Sequence, residues 1–196
     1  IDVVVFDKTG TLTEGHPSIV EVLVFDDSGA VISSPTHERI HELLQLSTSL
    51  EQGLNHPIAK AIRDYAEQEQ VSVIDCESWD YRVGRGVCAQ VNGQTVLLGN
   101  SKLLEDENVA IPAFEADRKL RVATPIYLSV NGRLASIHYA LDQVRPDTPD
   151  MIAELHRRGI EAHMLTGDIA PVAHAVAKDI GLKPEEVHSD ALPDQK

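Results

Sequence analysis

The sequence predicts an α/β protein in which a parallel-sheet domain is interrupted by a second domain built mostly on antiparallel sheet. Three observations predict it. The chain opens on a β-branched and aromatic run, Val3-Val4-Val5-Phe6, of the kind that fills a parallel strand buried on both faces. After Pro146 helical and extended patterns alternate, as in βαβ units. Between these stretches, Asn92-Gly93 and Asn131-Gly132 each separate β-rich segments, the strongest short-range hairpin signal.

Taken in order, residues 1–6 read as a mostly buried strand ending at Asp7, and Lys8 to Thr13 as a loop of small residues. Two extended segments between Ser18 and Ile32 flank Asp26-Asp27-Ser28-Gly29, a predicted hairpin turn. A helix follows with Ser34 as N-cap and Pro35 at its first position, presenting Ile40, Leu43, Leu44, Ser47 and Leu50 on one face. Gly53 ends it. A second helix starts near His56-Pro57 and packs Ile58, Ile62 and Tyr65. Beyond Pro146 the pattern predicts a helix over 147–158, a strand over 160–165, a helix over 172–180 and a short strand near Val187. The resulting division is 1–17 and 141–196 for the interrupted domain and 18–140 for the insertion, long enough to fold as its own unit.

Composition narrows the function. The chain has 196 residues and a formal charge of −14, which argues against a surface that grips nucleic acid or anionic lipid. Aromatics at 4% leave little for base-stacking platforms. Two cysteines, Cys76 and Cys88, are too few for a disulfide scaffold and suit a reduced cytosolic setting. Cys88 reads as packing volume. No stretch approaches the roughly 20 apolar residues of a membrane span. Opening inside a strand without a methionine, the sequence reads as a piece of a longer protein.

Chemistry concentrates at the end of the first strand. Asp7 stands where open α/β sheets place their ligands, and a carboxylate there can attack a phosphoryl group to give an acyl phosphate. Lys8 adds a positive charge. Two positions on stands Thr9, whose hydroxyl cannot shuttle a proton near neutral pH. Thr166-Gly167-Asp168 follows a predicted strand and so reaches the same sheet edge, where a hydroxyl and a backbone N–H can hold phosphoryl oxygens. His37, His41, His156 and His174 read as isolated polar positions on helices, with no close histidine pair or Cys-x-x-Cys to suggest a metal site. The acidic stretch from Glu105 to Asp117 reads as a solvated face.

The run Asp7-Lys8-Thr9-Gly10-Thr11-Leu12-Thr13 resembles the phosphorylation signature of P-type cation-transporting ATPases, and seven consecutive matches are highly specific. The resemblance covers nearly the whole chain. It implies a haloacid dehalogenase-like phosphorylation domain, incomplete here, carrying an inserted α+β nucleotide-binding domain. Thr166, Gly167 and Asp168 match the second signature, Asp142-Gln143-Val144-Arg145-Pro146 an element near the nucleotide, and Pro193-Asp194-Gln195-Lys196 one whose lysine contacts the phosphoryl group. His56-Pro57, Gly84-Arg85-Gly86 and Glu51 resemble the adenine pocket of heavy-metal pumps, type IB. There the family usually has Ser-Glu-His-Pro, and this chain has Leu54-Asn55-His56-Pro57, with Asn55 able to cap the helix.

The cofactors so implied are ATP and Mg²⁺, with Asp7 and the Thr9 carbonyl as metal ligands; the later aspartates that complete the site lie past Lys196. The implied partners are the transmembrane and actuator domains of a parent chain and a transported heavy-metal ion bound outside these residues. The implied location is the cytoplasmic face of a membrane. Ser49-Leu50-Glu51 and Gly99-Asn100 resemble copper pumps slightly more than zinc or cadmium pumps. The unfinished first domain leaves a sheet edge able to pair with another copy, and little turnover is expected of these residues alone. The alternative is a haloacid dehalogenase-like phosphatase with a cap domain. Such enzymes carry a second aspartate where this chain has Thr9.

Overall fold

The structure is a computed structural model describing residues 2–115, 117, 120, 122–167 and 170–189. The chain forms two compact units, one of residues 1–17, 121–123 and 141–196, the other of residues 18–120 and 124–140. Among the described residues no helix is long and apolar enough to cross a membrane.

The first unit holds a parallel sheet. Strand β1 (Val3–Asp7) pairs with β8 (Glu161–Leu165), which pairs with β9 (Val187–His188), in the order β1-β8-β9. Helices α4 (Thr148–Arg157) and α5 (Ala170–Asp179) alternate with these strands. Leu12, Ile152, Met164, Ala173 and Ile180 form the core. The first strand is not the mostly buried element that its composition predicts. Val3 is 48% and Val5 58% exposed, while Val4 and Phe6 are half-buried. Successive side chains of β1 point to opposite faces of the sheet, and Val3 and Val5 stand on the one that no described element covers.

The second unit carries most of a six-stranded sheet in the order β2-β7-β6-β5-β4-β3. Its strands are β2 (Thr13–Val24), β3 (Ser78–Arg82), β4 (Gly86–Val91), β5 (Gln94–Gly99), β6 (Thr124–Val130) and β7 (Arg133–Val144). The pairs from β3 through β7 are antiparallel. Both Asn-Gly pairs make the tight turns expected of them. Asn92 and Asn131 take φ of 50° and the following glycines 71° and 78°, the left-handed pair of a type I′ hairpin. The predicted hairpin near Asp26 shrinks to a turn. Asp26 accepts from Ser28 and Ala30, and only a single bridge, Phe25 to Val31, forms on the return.

Helices α1 (His37–Leu50) and α2 (Pro57–Gln68) pack on this sheet. Leu43, Leu44, Ser47 and Leu50 are buried as the spacing predicts, and each fully buried leucine contributes about 2 kcal/mol. The caps differ from expectation. Thr36, not Ser34, starts α1, because its hydroxyl accepts the Arg39 N–H at 3.2 Å while residues 34 and 35 stay outside the helix. His56, not Asn55, starts α2, its ring Nδ1 accepting the Ala59 N–H at 3.1 Å. A short helix that the sequence pattern does not predict, α3 (Ser101–Asp106), is capped by Asn100 and buries Leu103 and Leu104. The acidic stretch beginning there is not simply solvated, since Asp106 pairs with Arg85 and Glu107 with Arg82.

Candidate active site and nucleotide cleft

The predicted site residues fall into two groups, one in each unit. In the first unit, parallel pairing sets Val3 opposite Glu161 and Asp7 opposite Leu165. Asp7 and the residue after Leu165, Thr166, therefore leave the sheet at the same edge. Asp7 is exposed, Thr166 is buried, and the Thr166 N–H donates to the His188 carbonyl at 2.9 Å. Gly167 follows, exposed. Asp168 and Lys196 lie outside the described residues.

From Asp7 the chain turns tightly over Lys8–Leu12. Lys8 is buried at the start of the turn, Thr9 is exposed, and Gly10 takes φ of 78°. Thr13 locks the turn. Its hydroxyl donates to Asp142 Oδ2 at 2.6 Å and receives the Gly10 N–H at 3.3 Å, while the Gly15 N–H donates to Asp142 Oδ1 at 3.0 Å. Arg145 donates through Nε to the Thr13 carbonyl (3.1 Å) and through its terminal nitrogen to the Gly10 carbonyl (3.2 Å). Thr148 Oγ1 and the Arg145 N–H both donate to the Leu12 carbonyl. The segment Asp142 to Thr148 thus braces the loop that follows Asp7, a positioning role that spacing alone does not reveal.

In the second unit, Glu51, His56, Gly84 and Gly86 line one cleft of about 340 Å³, together with Tyr81, Asn100 and Ile126. Helix geometry brings the first two together: Glu51 caps the end of α1 and His56 the start of α2. With Nδ1 engaged as the cap acceptor, the neutral ring carries its proton on Nε2, which lies 3.5 Å from Glu51 Oε2. That oxygen is buried and has no hydrogen-bond partner among the described residues. Burial, partly offset by Arg63, pushes the Glu51 carboxyl up to about 7. Burial first and Arg63 second hold the His56 imidazole below its usual range. Arg63 also clamps the turn between the helices, donating to the carbonyls of Glu51 at 2.7 Å and Leu54 at 2.8 Å.

The two glycines differ. A Cβ on Gly86 would stand 2.1 Å from the Leu98 carbonyl oxygen and 2.6 Å from Gly99 Cα, so this glycine is demanded by the chain's own backbone crossing. A Cβ on Gly84 would meet nothing within 4 Å, and its φ of 70° is the only constraint. Asn100 braces the loop, its Nδ2 donating to the Gly84 carbonyl at 2.8 Å and its N–H to that of Arg85 at 2.9 Å. Sequence reasoning missed Tyr81 and Asn100 as cleft residues. Tyr81 is 39% exposed and stacks on Trp79 with the rings 18° apart. Trp79 and Tyr81, two aromatics spaced by two in a chain so poor in them, were the available signal.

The histidines are not all isolated. His37 and His41 stand one turn apart on α1 with ring centroids 3.9 Å apart, both beside Glu69 at the end of α2. His156 lies 3.1 Å from the buried Glu186. One-dimensional spacing shows the i, i+4 pair only once the helix register is taken into account, and cannot show Glu69 at all.

A family model for haloacid dehalogenase-like hydrolases matches residues 1–195. The chain belongs to that family. Curated relatives of this haloacid dehalogenase-like chain include the copper-exporting P-type ATPase of Vibrio cholerae serotype O1, 36% identical over the whole chain. The chain spans 20% of that protein's length. Among solved structures, a zinc-transporting PIB-type ATPase in its E2.Pi state superposes with a TM-score of 0.72 at 29% identity, covering 100% of this chain and 30% of that one. The catalytic domain of the CPx-ATPase CopB-B, studied for conformational changes upon nucleotide binding, shares the fold with a TM-score of 0.70 at 24% identity, covering 100% of this chain and 65% of that one.

Proposed function

We propose that this chain is the ATP-binding and phosphorylated part of a membrane pump that moves a heavy-metal ion, copper in preference to zinc or cadmium, at the expense of ATP. The observation that carries this reading is the sheet edge: the Asp7–Leu165 register sets a strand-end carboxylate and Thr166 side by side, with Thr9 where a phosphatase needs a second acid. The Asp7 carboxylate oxygen attacks the γ-phosphorus, the P–O bond to ADP breaks, and ADP leaves as the acyl phosphate forms. Threonine at position 9 supplies no carboxyl group to activate a water against that intermediate, which suits a species that must persist through transport.

Adenine binding is assigned to the cleft of the second unit. A buried acceptor without a partner costs about 1–3 kcal/mol until a donor arrives, and an exocyclic amine at Glu51 Oε2 is such a donor. Tyr81 offers an aromatic face and Gly84 an unobstructed backbone. The cleft has no glycine-rich phosphate cradle, so recognition rests on the base. The Asp7 carboxylate and Thr9 carbonyl are hard oxygen donors of the kind Mg²⁺ takes, both on exposed residues at one turn, and they are the ligands this chain would offer. When bound, Mg²⁺ neutralises charge on the phosphoryl oxygens. The pump's transmembrane and actuator domains and its cytoplasmic orientation follow from the same reading. Copper-exporting and zinc-transporting relatives support it.

The test has two arms. Calorimetric titration of the chain with ATP, ADP and a non-hydrolysable analogue gives similar affinities, and a chain that binds none of them refutes the nucleotide assignment. In the parent pump, labelled ATP leaves an acid-stable, hydroxylamine-labile phosphoryl group that Asp7→Asn abolishes without loss of ATP binding. Persistence of the label in that variant places the nucleophile elsewhere.

A further inference from the structure

We infer that the second unit carries a zinc-class metal site at the far ends of α1 and α2, formed by His37, His41 and Glu69. The two histidines are four residues apart, one turn, so their rings project from one face of the helix. Glu69, at the C-cap of α2, meets them from the neighbouring helix. The three ligand atoms lie within 4.8 Å of one another, and the two nitrogen-to-carboxylate distances are 3.4 Å and 3.5 Å. Ligands at about 2.0–2.1 Å around a tetrahedral zinc stand about 3.3 Å apart. The two nitrogen-to-carboxylate separations are close to the edges of such a tetrahedron before any ion has drawn the ligands together.

Two further features favour a cation over an ordinary ion pair. His41 Nε2 is buried and has no hydrogen-bond partner among the described residues, although it faces the carboxylate, so its lone pair or proton is unspent. The His37 side chain, by contrast, is 73% exposed, which leaves the outer side of the cluster open to a metal and to a water in the fourth position. Two imidazoles and one carboxylate suit zinc and neighbouring first-row divalent ions, and exclude magnesium and calcium, which take oxygen ligands. The 14 residues of α1 span about 20 Å. The site therefore sits at the opposite end of the helix from Glu51, and neither Asp7 nor the cleft is used in the inference.

The probe is zinc alone, titrated into the 196-residue chain by calorimetry, with cobalt as a spectroscopic substitute. The wild-type chain binds one zinc ion that a large excess of magnesium does not displace, and its cobalt form shows the intense visible bands of tetrahedral coordination. Loss of a supporting second-sphere group already weakens metal binding by roughly ten- to a hundredfold, so His41→Ala and Glu69→Gln each weaken zinc by at least roughly tenfold. His37→Gln does the same, and because that side chain is mostly exposed the variant folds. His163→Ala, which removes another close histidine pair, His163 with His188, leaves zinc binding unchanged. The inference is overturned if the wild-type chain binds no zinc, if magnesium competes equally, or if affinity follows His163→Ala rather than His37→Gln.

Discussion

Around Asp7 the chain satisfies its polar groups itself, whereas in the cleft it leaves one open. Both oxygens of Asp142 are engaged by Thr13 and Gly15, and the carbonyls of Gly10, Leu12 and Thr13 are each met by a donor from residues 145–148. Glu51 Oε2 is buried with no partner, and its carboxyl is pushed up to about 7. A preorganised loop costs no reorganisation when charge develops at the reacting group. An unpaired buried group stores free energy that a ligand can release. On the proposed function the contrast separates a place built for a reaction from a place built for recognition, and four sets of substitutions test it.

The largest effect is expected where the cleft's own backbone is tightest. In Gly86→Ala the new methyl meets the Leu98 carbonyl at 2.1 Å, and neither partner is a flexible side chain. Overpacking against backbone, added to a φ of 145° that alanine resists, should cost more than about 4 kcal/mol. Gly84→Ala, with open space beside it, should cost only about 1 kcal/mol. Urea denaturation of the two variants measures both. Equal losses would contradict the distinction between a structural and an open glycine.

Next comes pH. Glu51 has its folded-state pKa raised from 4.5 to about 7, so the stability it contributes is present below pH 4.5 and lost as pH rises through 7. His138 is fully buried, its Nε2 near Ser47 Oγ (2.9 Å) and Ser136 Oγ (3.3 Å), and burial lowers its pKa from 6.5 to about 4. Its contribution is present above pH 6.5 and lost as pH falls through 4. The two slopes oppose each other and leave the wild-type profile nearly flat between pH 4.5 and 6.5. Glu51→Gln should therefore gain roughly 3 kcal/mol of stability on going from pH 4.5 to 6.5, at about 1.4 kcal/mol per unit, and His138→Gln should lose a similar amount. Denaturation midpoints across that range decide it, and a Glu51→Gln profile parallel to that of the wild type would remove the reason for treating that carboxyl as strained.

Asp142→Ala tests the other half of the contrast. It strips acceptors from the Thr13 hydroxyl and the Gly15 N–H at once, and hydrogen bonds to a charged group contribute about 1.5–3 kcal/mol, so a loss of about 2 kcal/mol is expected. Amide exchange at Gly15 should quicken with it. A loss under about 0.5 kcal/mol, with unchanged exchange, would mean that the brace is idle.

Much of this was legible from residue order, and what was not has a common physical cause. Periodicity gave the faces of α1 and α2, turn chemistry gave both Asn-Gly hairpins, and a short contiguous motif gave Asp7. Local signals failed where the deciding partner was distant. Val3 and Val5 read as buried because nothing in a strand's own residues reveals which of its sheet's faces another element covers. The sequence points to Ser34 rather than Thr36 as N-cap because serine is the better capping type and Pro35 follows it, whereas the reach to the Arg39 N–H favours Thr36. The resemblance sets Asp142 near the nucleotide, but residue order cannot show that Thr13, 129 residues earlier, stands against it. Glu69 joins His37 and His41 only across the packing of two helices.

The smallest effect concerns His56, where two roles share one ring. Nδ1 caps α2 by accepting the Ala59 N–H, and Nε2 faces the cleft beside Glu51. His56→Ala removes both, so it should cost about 1 kcal/mol of stability from the lost cap and about 1 kcal/mol of ATP affinity, roughly fivefold, from the lost contact. The two losses cannot be told apart in that variant, because a frayed helix start would itself disturb the cleft. His56→Asn separates them. Asparagine is as good an N-cap as this position accepts, so α2 keeps its start and the stability loss should vanish, but its short amide cannot reach where Nε2 stood. ATP affinity in His56→Asn should then remain about fivefold below wild type while the unfolding midpoint recovers. If affinity recovers together with the midpoint, the ring's part in the cleft is to hold the helix, and recognition of the base falls to Glu51 and Tyr81 alone.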